Sequence, residues 1–246
     1  MIDFLINNNR LFIVAVEIIA AVIGGIVYNF YKPTAAKFFV FFLFYIVILE
    51  VIGFYTILVV PNNILSFIIG TNFEKNHWFY TITWDIGAVL FYVYYFKKIL
   101  VTQIFKSIIS IAGICFLVFS ISYIIVNNDM FFTEFYDSIV VFGALIIVLC
   151  TSLYFIEILK SDKILFFYKD LNFYISITIF LWWIVVTPLT FYDVYFVYEV
   201  GSHNRDKEFF ILRQSIYIIA NLFMYGMFTF ALIYCRPRKK EIADCK

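Results

Sequence analysis

The chain has 246 residues, of which 64% are hydrophobic, 23% aromatic and only 14% charged, with a net charge of +1 and a mean hydropathy of +0.96. Soluble domains run nearer half apolar and a quarter charged, and a globular core grows too slowly with chain length to hide such an excess. Composition therefore excludes an ordinary soluble fold and makes lipid the solvent for much of the surface. The near-zero net charge says little, because the distribution of charge carries the information.

Residues Met1 to Arg10 contain Asp3 and Arg10 but no basic leader. No small-residue cleavage motif comes after the first apolar run, so the first helix is expected to remain in the protein. A helix needs about 20 mainly apolar residues to cross the hydrocarbon. In chain order the qualifying runs are Leu11–Tyr31, Phe38–Val60, Trp78–Phe96, Ile104–Val126, Phe135–Leu159, Leu171–Tyr192 and Phe209–Cys235. They are too long for strands and lack period-two alternation. Turn-forming or charged residues separate them: Lys32-Pro33, Pro61-Asn62-Asn63, Lys97-Lys98, Asn127-Asn128-Asp129, Ser161-Asp162-Lys163 and Gly201-Ser202-His203-Asn204. The expected fold is all-α, a polytopic membrane protein with seven transmembrane helices in a single domain over residues 1–246, with no soluble domain.

Lysine and arginine set the expected orientation. One set of loops holds Lys32, Lys37, Lys97, Lys98, Lys106, Lys160, Lys163, Lys169, Arg236, Arg238, Lys239, Lys240 and Lys246. The other holds Arg10, Lys75, Arg205, Lys207 and Arg213. The bias of thirteen against five places the N-terminus outside and the C-terminus in the cytoplasm of a bacterial-type inner membrane. Trp78, Tyr80, Tyr192, Tyr195 and Tyr198 fit an outer aromatic belt, and Tyr94, Tyr95 and Phe96 an inner one. Cys115 and Cys150 fall inside apolar runs and Cys235 and Cys245 in the basic tail, so neither a disulfide nor a metal site is expected.

Acidic residues inside the spans are the candidate site. At 1.5 Å of rise per residue, Glu17 and Asp85 lie about 10 Å, and Glu50 about 15 Å, below the outer ends of their helices. A charged group at such depth costs at least ~2.5–3.5 kcal/mol on insertion scales and normally faces protein or water. Glu17 leads a face of Ala20, Ala21, Gly24, Gly25 and Tyr28, small enough for close helix packing. Glu50 has Gly53 one turn on, and Asp85 has Ala88 and Tyr92 along its stripe. On the seventh helix Gln214, Tyr217, Asn221 and Tyr225 form a polar stripe, with Arg213 as the counter-charge for the acids. The expected ligand site is thus an outward-opening pocket of Glu17, Glu50, Asp85, Arg213, Gln214, Tyr217 and Asn221. Asp137 reads as an interfacial residue or helix cap. In the sixth helix, Trp182-Trp183 at mid-depth and Pro188 beyond are the candidate hinge, since proline removes a backbone donor.

Seven helices with the N-terminus outside is also the plan of the microbial rhodopsins and the G-protein-coupled receptors. The residues depart from both. A retinal Schiff base needs a lysine in the seventh helix, and Phe209–Cys235 has none; Tyr94-Tyr95-Phe96-Lys97-Lys98 stands where receptors carry an acidic-arginine motif. Shared topology is not shared function. His77 and His203 are the only histidines, both in loops, and no phosphate-binding glycine motif is present, so neither an enzyme nor a cofactor is expected. The favoured role is a receptor-like or sensory protein. It would bind a small ligand, a lipid or protons from outside and signal to a separate cytoplasmic or membrane partner, with no nucleic acid involved. A small transporter or channel using the same carboxylates is the alternative, and an accessory subunit of a membrane complex a third.

Overall fold

A computed structural model of the chain describes residues 9–198 and 207–236. The expected Gly201–Asn204 turn, and the basic tail beyond Arg236, lie outside the described residues. The helices are α1 (Asn9–Tyr31), α2 (Ala36–Gly53), α3 (His77–Tyr80), α4 (Gly87–Ile99), α5 (Gln103–Val126), α6 (Asp137–Leu159), α7 (Leu171–Tyr198) and α8 (Lys207–Tyr234). A π-helical segment, Thr81–Ile86, joins α3 to α4. No strand occurs among the described residues.

Six of these helices are long and apolar enough to cross a membrane. They match the first, second, fourth, fifth, sixth and seventh sequence runs. Side chains such as Ile26, Val51, Ile114, Val126 and Ile219 are exposed along them, as a lipid-facing surface requires. The chain is a multi-pass helical membrane protein. The third run is helical from His77 to Ile99 but is divided: α4 alone has 13 residues, and the π-helical segment carries Asp85.

Two other boundaries differ from the sequence reading. The second apolar run predicts helix to Val60, but α2 stops at Gly53 and continues as a 3-10 turn over Phe54–Leu58. The Gly53 carbonyl, which an α-helix would give to the amide of residue 57, instead accepts from Asn76 Nδ2 at 2.9 Å. The sixth run predicts an end at Tyr192, yet α7 passes through Pro188 to Tyr198.

The chain forms two compact units: residues 1–44 with 151–246, and residues 45–150. In the first, α8 packs against both α1 and α7. Phe39 meets Phe228 edge-on at 4.9 Å, and the Tyr31 hydroxyl donates to the Leu232 carbonyl at 2.9 Å. In the second, α4 is held close to its neighbours by two glycines. A Cβ on Gly113 of α5 would lie 2.8 Å from Val93 Cγ1, and one on Gly143 of α6 would lie 2.9 Å from Val89 Cγ2. Val89 and Val93 are one turn apart on α4, so a single face of that helix meets both glycines.

Candidate functional site

The residue-45–150 unit holds the most unusual polar chemistry. Asp85 is 8% exposed, and its Oδ2 is buried with no hydrogen-bond partner. Four positions earlier Thr81 is fully buried, and its Oγ1 also lacks a partner. Both belong to the π-helical segment, where a four-residue step leaves side chains on nearly one face. Asp137 is exposed at the first turn of α6. The expected stripe is present, since Ala88 and Tyr92 are buried along with Asp85.

The π-helical segment is engaged from a neighbouring helix. An i→i+5 pattern disrupts the α-helical carbonyl ladder, and the Thr83 carbonyl accepts from the Tyr45 hydroxyl of α2 at 2.8 Å. A Cβ on Gly87 would approach that same hydroxyl to 3.0 Å, so the glycine leaves Tyr45 room to reach the backbone. Thr83 Oγ1 turns back onto the Phe79 carbonyl at 2.6 Å. Asp85 thus stands on a helical irregularity that is fastened from outside its own helix.

Glu50 is half-buried and accepts from the Tyr80 hydroxyl at 3.1 Å. Gly53, one turn on, faces the Tyr80 ring so closely that a Cβ there would clash with its Cζ at 2.7 Å. The sequence marks Gly53 as a small residue beside Glu50; the partner it admits is Tyr80, which sequence reasoning places only in the outer aromatic belt.

His77 opens α3 against Phe135, ring centroids 4.4 Å apart, with Nδ1 buried and unpartnered. Burial lowers its pKa below the usual histidine range, the Lys75 charge adds to this, and Glu134 opposes it. The folded state therefore binds this proton less readily than the unfolded chain. The contribution to stability is complete above about pH 6.5 and declines as pH falls through that value toward the folded pKa. Melting of the purified protein is expected to show this loss on acidification, and His77→Gln to flatten the slope. An unchanged slope in the variant would remove His77 from the account.

The other site residues fall in the first unit. Glu17 is buried on α1 together with Ala20, Ala21 and Gly24. Gly25, expected on the same face, is exposed, and Tyr28 is half-buried, so the buried stripe is narrower than the spacing suggests. On α8 Arg213 is half-buried. Gln214 accepts from Asn9 Nδ2 at 2.8 Å and so ties α8 to the start of α1. Asn221 is buried and its Nδ2 donates to the Tyr217 carbonyl at 2.8 Å; that donor serves its own helix. Tyr217 is exposed on one side and meets Trp182 at 6.1 Å between centroids.

For the candidate hinge, Trp182 and Trp183 are both buried, packed edge-on at 5.1 Å. Pro188 is exposed within α7 and supplies no amide to the Ile184 carbonyl. Thr187 Oγ1 donates to the Trp183 carbonyl at 2.6 Å. No group of three or more His, Cys, Asp or Glu side chains able to hold a metal ion occurs among the described residues.

Comparison with protein-family models, with curated proteins and with solved structures finds no match to this chain. The residues themselves carry the functional case.

Proposed function

We propose that the chain is a receptor-like sensory membrane protein that takes up a proton or a small cationic ligand at Asp85 and passes the change to a separate membrane or cytoplasmic partner. The observation that carries this reading is Asp85 itself, a buried carboxyl with an unpartnered oxygen on a π-helical segment. Ionisable groups inside membrane helices are expensive and mark functional sites by default. π-Helical turns within α-helices are frequent at such sites. The irregularity also suits signalling, because its relaxation to α-helix would turn the Asp85–Thr81 face relative to α4 and release Tyr45 from the Thr83 carbonyl. In this proposal Glu50 belongs to the Asp85 site. Glu17, Arg213, Gln214, Tyr217 and Asn221, in the other compact unit, stay candidates as well.

The test is infrared difference spectroscopy on the full protein in lipid nanodiscs, stepped in pH and in monovalent cation. A carboxyl band that responds in the wild type and disappears in Asp85→Asn supports the reading. No carboxyl response under any step, or an identical response in the variant, rejects it. Glu50, Asp85 and Asp137 lie in one compact unit, and that grouping favours one rival, transport along a series of carboxyls. Cation or proton flux into protein-containing liposomes, absent from protein-free ones and lost in Asp85→Asn, would replace sensing by transport.

The proposal includes the third run, Trp78–Phe96, as a seventh crossing, with the N-terminus outside and the C-terminus cytoplasmic. The lysine and arginine bias supports this orientation. A reporter fused after Lys246 is expected on the cytoplasmic side and one inserted near Gly201 on the opposite side. Equal labelling at both positions would reduce the crossings between them to an even number and end the seven-helix plan.

A further inference from the structure

The connection from α2 to α3 is unlike a solvated loop. From Phe54 to Phe73 it contains no Asp, Glu, Lys or Arg, and reads Phe-Tyr-Thr-Ile-Leu-Val-Val-Pro-Asn-Asn-Ile-Leu-Ser-Phe-Ile-Ile-Gly-Thr-Asn-Phe. It is nonetheless folded. Ser66 N donates to the Asn63 carbonyl at 3.1 Å, Ile68 N to Leu65 at 3.1 Å and Thr71 N to Ile68 at 3.0 Å. The chain turns at Asn62 and Gly70, with φ of 67° and 78°. The Gly70 amide is taken by Glu74 Oε2 at 2.8 Å. Tyr55, at the start, donates to the Lys75 carbonyl at 2.8 Å, and Asn76 donates to the Gly53 carbonyl, so the two ends of the connection are tied to each other. Phe73 packs edge-on against Trp78 at 5.4 Å and Phe132 at 5.6 Å.

Internal hydrogen bonding leaves the large apolar side chains on the outside. Ile64 is 78% exposed and Phe67 75%, and they are three residues apart across the Ser66–Ile68 turn. Ile57, Leu58, Val60, Ile69 and Phe73 are exposed as well. Single exposed apolar residues need no explanation, but a folded surface of this kind does. We infer that the 57–69 segment lies in the headgroup–acyl boundary of the bilayer, with Ile64 and Phe67 inserted among lipid chains. Three observations select lipid as the occupant. The exposed surface continues the lipid-facing side of α2, where Ile48, Val51 and Ile52 are exposed. The two ends of the connection are tied together beside the ends of α2 and α3, by Tyr55 to the Lys75 carbonyl and Asn76 to the Gly53 carbonyl. The segment has no charge that would hold it in water, and only Pro61, Asn62, Asn63 and Ser66 interrupt the apolar run from Ile57 to Ile69. Irregular backbone is not tolerated against lipid in the hydrocarbon centre, whereas in the boundary its remaining polar groups meet water and headgroups.

The test uses the full chain, one molecule per nanodisc of mixed phosphatidylcholine and phosphatidylglycerol. A polarity-reporting fluorescent amino acid is placed at position 64, 67 or 72, Asn72 being an exposed polar control in the same connection. Emission at 64 and 67 is expected to be blue-shifted and quenched several-fold more than at 72 by lipids spin-labelled near the top of the acyl chain. Water-like, unquenched emission at 64 and 67 overturns the inference. Blue-shifted emission without lipid quenching also overturns it, because the residues are then covered by protein.

Discussion

Gly113→Ala and Gly143→Ala are each expected to destabilise the protein, although alanine is the better helix former. The added methyl would meet Val93 Cγ1 at 2.8 Å or Val89 Cγ2 at 2.9 Å. Valine is stiff about χ1 and cannot swing aside cheaply, and both valines are buried. Overpacking of this sort costs about 1–3 kcal/mol, against a helix-propensity gain of at most about 1 kcal/mol, so strain wins. Leucine at either position should be worse. Gly226 supplies the opposite case: no atom lies within 4 Å of where its Cβ would be, so Gly226→Ala should gain up to about 1 kcal/mol. Thermal or detergent unfolding of the three alanine variants checks the signs. A second alanine, Val93→Ala, should relieve Gly113→Ala, since contacting residues couple. Shifts of one sign at all three glycines would show that α4 is not held as the close approaches indicate.

Local periodicity and hydropathy made most of the spans legible in the sequence, whereas features that depend on tertiary capture stayed hidden. Ile104–Val126 and Phe135–Leu159 are readable almost to the residue because apolar runs end at Asn127 and Lys160, and the helices end there too. The truncation of α2 is not readable, because it depends on Asn76 reaching back to Gly53 across a connection of more than twenty residues. The π-helical segment is hidden for the same reason: Thr81–Ile86 has ordinary helix-compatible residues, and the irregularity accompanies a hydrogen bond from Tyr45. The sixth run, Leu171–Tyr192, already passes through Pro188, and the helix does so too, continuing to Tyr198.

Within the candidate site, Asp85 stands out as an acid in an apolar run, and its stripe to Ala88 and Tyr92 comes from 3.6-residue spacing. Thr81 does not, because a threonine at the start of a span reads as a helix-end residue. The Glu50–Tyr80 bond is equally invisible, as nothing in the local sequence distinguishes Tyr80 from the other interfacial aromatics. Asn221 illustrates both. Its place on a polar stripe is legible in the sequence, but the bond from its amide nitrogen to the backbone one turn back is not.

Asp85→Leu and Thr81→Val are expected to raise stability while removing the proton or cation response. The two side chains contribute buried oxygens with no partner, and such a group costs about 1–3 kcal/mol relative to one that is satisfied. Leucine has the same heavy-atom branching as aspartate, and valine matches threonine, so neither change opens a cavity or forces the helix apart. For a chain of this length each kcal/mol corresponds to roughly 2–4 °C in melting temperature. The gains should not simply add, because the residues are one turn apart and share surroundings. Glu50→Leu makes the contrast: it breaks the bond from Tyr80 and should leave stability unchanged or lower. A buried polar residue that costs stability at its own position is what a functional site at odds with local packing predicts. If Asp85→Leu instead melts several degrees below the wild type, Asp85 is a structural anchor, and the sensory reading loses the observation on which it stands.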